Sequence, residues 1–221
     1  MNGSPVKVVV GLSFLLFLGA CGSSPASQFY RLTPGNGSLG SEQQPSVGIG
    51  PVEIPEFLNR SALVYTRGGN QLMISGTELW AEPLADGVNR VLGLNLAQLL
   101  NTQNVSYFPW DSRHAPDYGI RVSILDMDAD EQQATLVADW VLLHPANGEI
   151  INRRISRYTS TLPSGKFVPS ELPPLYSALL YQLSETIAEA IQAEVQKTAS
   201  GGVEHYLLPG LSLEHHPGSP L

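Results

Sequence analysis

Cysteine and charged residues are both scarce in this chain, and each scarcity excludes something. Cys21 is the only cysteine among 221 residues, so no disulfide can form within one copy and the fold must depend on its hydrophobic core. Charged residues make up 14% of the chain, with 12 basic and 20 acidic side chains and a net charge of −8. The acidic balance argues against nucleic-acid binding and against electrostatic adhesion to anionic lipid. So few charges leave room for a buried interface with a partner or with a second copy.

The motifs that usually carry chemistry are also missing. The chain after Cys21 has no Gly-x-Ser-x-Gly nucleophile elbow, no dinucleotide-binding glycine pattern and no phosphate-binding loop. The run Asp126–Asp130 begins like a calcium loop, but Glu131 and Val137 stand where the loop needs Gly and Glu, so we expect an acidic turn there. Three histidines lie in the predicted tail, where no fixed geometry would hold a metal ion: His205, His215 and His216. We therefore expect no enzyme, no metal site and no cofactor.

The N-terminus has the pattern of a secretion signal that ends on the cysteine. Met1–Lys7 is positively charged, Val8–Leu18 is an uncharged run too short to span a bilayer, and Gly19 and Ala20 precede Cys21. This ending resembles the bacterial lipobox, which predicts cleavage between Ala20 and Cys21 and lipid attachment to Cys21. The alternatives are an ordinary signal peptide with a stray thiol, or a core cysteine. The expected product is held on a membrane outside the cytoplasm by acyl chains.

The remaining chain is predicted to form one domain. Residues 1–20 are the predicted signal peptide, 21–28 a lipidated tether, 29–200 the folded domain and 201–221 a poorly ordered tail. Apolar residues recur every three or four positions over about 79–100 and 174–197, which predicts two long amphipathic helices, with Trp80 near the start of the first. Because Pro83 fits only in a first turn, the regular part of that helix is expected to start near Glu82. Alternating apolar residues and turn signals predict about seven strands, the last three as an antiparallel meander: 29–32, 47–54, 63–66, 71–75, 118–125, 134–143 and 150–162.

Several sequence blocks together resemble a known family, the PqiC-type or ABC-type transport auxiliary lipoproteins. The blocks, which span about residues 14–197 with the lipobox, are Phe29–Leu32, Val47–Arg60, Glu78–Leu84, Arg90–Leu92 and Asn95–Leu96. The resemblance implies an α/β domain with a mixed sheet and two long helices. It also implies work beside a periplasm-spanning partner that carries MCE domains, and that partner's inner-membrane transporter, in moving lipids between membranes and supporting envelope integrity. No catalytic residues come with the family.

Gly22 and one loop give the remaining expectations. By the sorting rule of enteric bacteria, Gly22 after the cysteine favours the outer membrane, with the domain on its periplasmic face. Glu53, Glu56 and Arg60 flank a proline-bounded loop, and we expect them to contact the partner, although a solvated loop or a local ion pair is the alternative. Two further functions stay open: a self-contained periplasmic lipid-binding lipoprotein, and an envelope hydrolase.

Overall fold

The computed structural model describes residues 25–67, 69–130, 132–162 and 167–204, and these form eight strands and two helices. The helices are α1 (Leu84–Leu99) and α2 (Leu172–Glu204). The strands are β1 (Gln28–Tyr30), β2 (Val47–Glu53), β3 (Ala62–Arg67), β4 (Gln71–Trp80), β5 (Val105–Tyr107), β6 (Tyr118–Ala129), β7 (Gln133–His144) and β8 (Glu149–Thr161). Among these residues, no helix is long and apolar enough to cross a membrane.

The larger sheet has five strands in the order β5-β2-β6-β7-β8. Strand β2 pairs in parallel with both β5 and β6, whereas β7 runs antiparallel to both of its neighbours, β6 and β8. The predicted meander is therefore confirmed, and the mixed pairing of the α/β class is confirmed with it. The alternation that predicted β6 has a physical basis, because Ile120, Val122 and Ile124 are buried while Arg121 and Leu125 are exposed.

A second, three-stranded sheet has the order β1-β4-β3. Strands β3 and β4 form an antiparallel hairpin, and β1 pairs in parallel with the last three residues of β4. Dividing the strands between two sheets leaves room for one core in which both sheets and both helices share buried side chains.

The two helices pack against each other and against one face of the five-stranded sheet. Helix α1 contacts β2, and α2 contacts β7 and β8. Their apolar stripes meet the sheet at fully buried side chains, among them Leu92, Leu96, Leu179, Leu183 and, on β7, Trp140. Burying each such leucine stabilises the fold by about 1.5–3 kcal/mol relative to an exposed position.

The first helix begins later than the sequence pattern predicts. Trp80 ends strand β4 rather than starting a helix, because its amide donates to the Ser61 carbonyl at 2.6 Å and the next amide, Ala81, donates to Tyr30 at 2.7 Å. Pro83 precedes Leu84 directly, and proline tolerates the start of a helix because that position needs no amide hydrogen bond.

Other elements also differ from the prediction, and β4 continues five residues beyond the predicted 71–75. Asp126–Ala129 belongs to β6, where it pairs with Leu136 and its neighbours on β7, so the predicted acidic turn is shorter. Strand β5 lies in a segment for which no strand is predicted. Helix α2 continues to Glu204, four residues into the predicted tail. The predicted signal peptide, cleavage site and Cys21 lie outside the described residues, as does the tail from residue 205.

Candidate partner-binding surfaces

A small groove brings two distant sequence blocks together around Arg60. It encloses about 320 Å³ and is lined by Asn59–Ser61 and by Trp80–Leu84. The end of β4 positions it, because the Trp80 amide is held by Ser61 and the Ala81 amide by Tyr30. We call this surface the Arg60 groove. Its walls combine an exposed guanidinium, a carboxylate and apolar side chains, which suits binding to a protein surface of mixed character.

An ion pair fixes the wall of the Arg60 groove that Glu82 provides. The Arg90 guanidinium bonds to the Glu82 carboxylate and donates a further hydrogen bond to the Leu32 carbonyl at 3.0 Å. Both side chains of the pair are about one-third exposed, at 34% and 31%. Because Arg90 is on α1 and Leu32 follows β1, this cluster holds the helix, the first strand and the groove in one arrangement.

The loop predicted to contact the partner is held by a buried anchor. Glu56 starts a short 3₁₀ turn that ends at Leu58, whose side chain is only 4% exposed. The side-chain amide of Asn59 donates a hydrogen bond to the Glu56 carboxylate at 3.5 Å, so the partner of this acid lies within the same loop. Arg60 follows on the exposed side of the loop and enters the groove.

Glu53 does not join Arg60 in this groove. Its carboxylate accepts a hydrogen bond from the Ser123 hydroxyl at 3.1 Å, across the β2–β6 pair. It lines a different groove of about 230 Å³ that also contains Arg121, Asp139 and Arg153. There Arg153 donates to Asp139 at 2.7 Å. Of the three residues predicted as one contact set, Arg60 lines the Arg60 groove, Glu53 lines this second groove and Glu56 lines neither.

A larger groove, which the sequence did not indicate, lies where β6 begins. It encloses about 820 Å³ between Gln44–Pro45, Ala115–Tyr118, the end of β7 and the last turns of α2. Ser46 donates its amide and its hydroxyl to Asp117, at 2.9 and 2.6 Å, and the Asp117 carbonyl lies 3.0 Å from His144 Nδ1. We call this surface the distal groove. No local signal marks it, because its walls come from four separate parts of the chain.

The electrostatics of the distal groove disfavour an ionised tyrosine. The pKa of Tyr118 is raised by burial first, and then by the negative charges of Glu194 and Asp117. This tyrosine stays neutral and can offer a hydroxyl and an aromatic surface to a bound molecule.

Two histidines, His114 and His144, lie in the described part of the chain, and each has a nearby partner. His144 is bonded to a backbone carbonyl, and His114 lies 3.7 Å from Asp111 on the surface. In the part of the chain that the structure describes, neither histidine hydrogen-bonds a serine or threonine hydroxyl, the pairing that would activate a nucleophile. Within the same residues, no group of three acids, histidines or cysteines is placed to hold a metal.

Comparison with known proteins agrees with this fold. A family model described as the ABC-type transport auxiliary lipoprotein component matches residues 30–190. One solved structure, of an uncharacterized protein, shares 20% identity with a TM-score of 0.60, covering 76% of this chain and 99% of its own. A Xanthomonas campestris protein of family DUF330 shares 12% identity with a TM-score of 0.61, covering 77% and 99% respectively. No curated protein matches the chain.

Proposed function

The chain belongs to the ABC-type transport auxiliary lipoprotein family, and from that premise we propose that it is the outer-membrane-anchored subunit of an MCE-type lipid transport system. Acyl chains on Cys21 would hold the domain on the periplasmic face of the outer membrane. The folded body would bind the end of a periplasm-spanning MCE protein, which in turn contacts its inner-membrane transporter.

One observation carries this proposal: the family match covers nearly the whole folded body. Matched residues 30–190 run from β1 to the middle of α2, so the shared property belongs to the domain rather than to an isolated motif. The sequence Leu18–Cys21 supports the lipid anchor independently, since a thiol falls at the one position that a lipobox requires.

The proposed mechanism is tethering. A single acyl chain gives weak, reversible membrane binding, and stable attachment takes at least two, so a triacylated cysteine would keep the domain on its membrane. Holding the domain there raises the local concentration of its docking surface for a partner that arrives from the opposite membrane. We assign that docking surface to the Arg60 groove, because the loop that carries Arg60 is exposed, while the ion pair of Glu82 with Arg90 fixes the opposite wall.

A pull-down from membranes tests the anchor and the partner together. Cells that express the wild-type chain or the Cys21→Ala variant are separated into membrane and soluble fractions, the chain is purified from both fractions, and the proteins and lipids that accompany it are identified by mass spectrometry. We expect an MCE-domain protein with the wild type, and loss of membrane association in Cys21→Ala. Recovery of lipid without any such protein would overturn the transport-complex proposal in favour of a self-contained carrier.

A pair of charge reversals tests the docking surface. Arg60→Glu should weaken capture of the partner about tenfold or more, equivalent to about 1.4 kcal/mol, because it reverses a charge on the groove. The matched control is Arg113→Glu, whose side chain is 82% exposed and lies outside this groove. Equal capture by both variants would remove the Arg60 groove from the proposal while leaving the anchor in place.

The core gives no support to the alternative of a lipid carried inside the fold. Such a carrier needs an apolar space between the helices and the sheet. The side chains that meet there, such as Leu96, Leu183 and Trp140, are 0% exposed. The family's auxiliary role in transport remains the better-supported function.

A further inference from the structure

We propose that the three-stranded sheet is the surface of this protein that contacts the phospholipid bilayer. The proposal rests on the proposed acylation of Cys21 and adds the residues that would face the lipid. These are Phe29 on β1, Leu72 and Ile74 on β4, and the exposed arginines Arg31 and Arg67.

The length of chain between the anchor and the fold places this sheet near the membrane. Seven peptide units separate Cys21 from Gln28, the first residue of β1, and even fully extended they span only about 25 Å. Strand β1 pairs directly with β4, so Gln28 is in register with Glu78. The first folded element after the anchor is therefore an edge of the three-stranded sheet.

This sheet exposes large apolar side chains beside that attachment point. Phe29 is 66% exposed, Ile74 is 54% exposed and Leu72 is 45% exposed. Leu72 and Ile74 are two residues apart on β4, so they extend from the same face of the hairpin. A single exposed apolar residue needs no explanation, but three on one small sheet next to a lipid anchor match the interfacial side chains of membrane-bound surfaces.

The local charge also fits a lipid surface, although the chain as a whole is acidic. Residues 57–77 contain Arg60 and Arg67 and no acid, and residues 25–41 contain Arg31 and no acid, against a net charge of −8 overall. Glu78 is the one acid within the strands of this sheet. Its carboxylate accepts hydrogen bonds from the hydroxyls of Ser75 and Thr77, which lower its pKa, so these strands carry a single negative charge. Anionic headgroups would attract this region and repel the acidic remainder, which orients the domain.

Site-specific labels on the lipidated full-length chain test this orientation. With Cys21 acylated, an introduced cysteine is the only free thiol, so Leu72→Cys and Ile74→Cys can each carry one polarity-sensitive fluorophore. The matched control is Ile155→Cys, since Ile155 is 64% exposed but lies on β8 of the other sheet. Each labelled chain is reconstituted into vesicles of phosphatidylethanolamine and phosphatidylglycerol, with or without brominated acyl chains.

We expect brominated lipid to quench the labels at 72 and 74 at least twofold, with a blue-shifted emission, and to leave the label at 155 unchanged. If the chain floats with vesicles but all three labels behave alike, the surface proposal is overturned while the anchor stands. If the chain does not float with vesicles, the anchor fails, and the surface proposal fails with it because that anchor defines the surface.

Discussion

Replacing Asn95 should destabilise the fold more than any substitution of an exposed asparagine, because this side chain joins three separate parts of the core. Asn95 is 0% exposed on α1. Its amide nitrogen donates to the Ser184 hydroxyl on α2 at 3.1 Å, and its carbonyl oxygen accepts from the Gly35 amide at 2.9 Å. Ser184 in turn donates to the Leu180 carbonyl at 2.7 Å, so each polar atom of the link has a partner.

The cost of Asn95→Ala follows from those contacts. Two neutral hydrogen bonds are lost at about 1 kcal/mol each, and the Gly35 amide is left without its acceptor in a partly buried position, which adds about 1–3 kcal/mol unless water reaches it. The expected loss is about 2–5 kcal/mol of unfolding free energy, with the lower end applying if water reaches the Gly35 amide, and it is a large part of the 5–15 kcal/mol that is typical of a domain. Helices α1 and α2 should separate more readily as a result.

Urea unfolding of the unlipidated chain, followed by circular dichroism, measures this loss. The control is Asn36→Ala, an exposed residue in the same loop as Gly35, which should change stability by less than about 0.5 kcal/mol. A cycle with Ser184→Ala should show a coupling of about 0.5–3 kcal/mol, as expected for residues in contact. If Asn95→Ala costs less than about 0.5 kcal/mol, the polar link does not hold the helices together and this reasoning fails.

Two further predictions concern β2 and β6. Gly48→Ala places a Cβ 2.6 Å from the Nε1 atom of Trp110 and should cost about 1–3 kcal/mol in urea unfolding, whereas Gly76→Ala, with no atom within 4 Å, should be close to neutral; equal losses would contradict the packing argument. Burial first, and the charge of Asp128 second, raise the pKa of Asp126 above its ordinary value of 3.8. Because the unfolded state ionises first as pH rises, the wild type loses stability between pH 3.8 and the higher folded-state pKa, and Asp126→Asn lacks that loss. The stability of Asp126→Asn relative to the wild type, measured by urea unfolding from pH 3.5 to 7, should therefore increase with pH. A difference that stays constant over this range would contradict the raised pKa of Asp126.

The parts of the fold that depend on local periodicity could be predicted, and those that depend on distant pairing could not. Strands β6 and β7 and both helices have one well-buried face, and burial imposes a periodicity that can be read in the sequence. Strand β8 is mostly exposed, with Ser156 as its one buried residue. Trp80 lies four residues before Leu84 and therefore continues the apolar stripe of α1, yet pairing with β1, fifty positions earlier, makes it part of a strand. Local periodicity does not identify a strand partner so far away in the sequence, and it does not predict how the strands divide into two sheets.

The same limit applies to the candidate surfaces. Arg60 could be identified as an exposed polar residue near prolines, and Trp80–Leu84 could be identified as a distinctive block. Their meeting in one groove depends on hydrogen bonds between β4 and the loop before β3, which no spacing in the sequence encodes. Glu53 is separated from Arg60 because its side chain extends across the sheet to Ser123 rather than toward the loop.

Strand β6 relates the proposed surfaces to one another. Its first residue, Tyr118, lines the distal groove. At its other end, the charges of Asp128 and Asp126 add to the effect of burial in raising the pKa of Tyr176. The Tyr176 ring lies 6.5 Å from that of Trp80, the last residue of β4 in the three-stranded sheet. Strand β6 has 12 residues, so about 36 Å separates its first residue from its last. With the three-stranded sheet on the bilayer, a partner in the Arg60 groove would lie close to the lipid, because Trp80 at the end of β4 lines that groove, whereas the distal groove lies at the other end of β6. Under the proposed role in lipid transport, this shorter distance to the membrane is a second reason to assign docking to the smaller groove, despite the greater volume of the other.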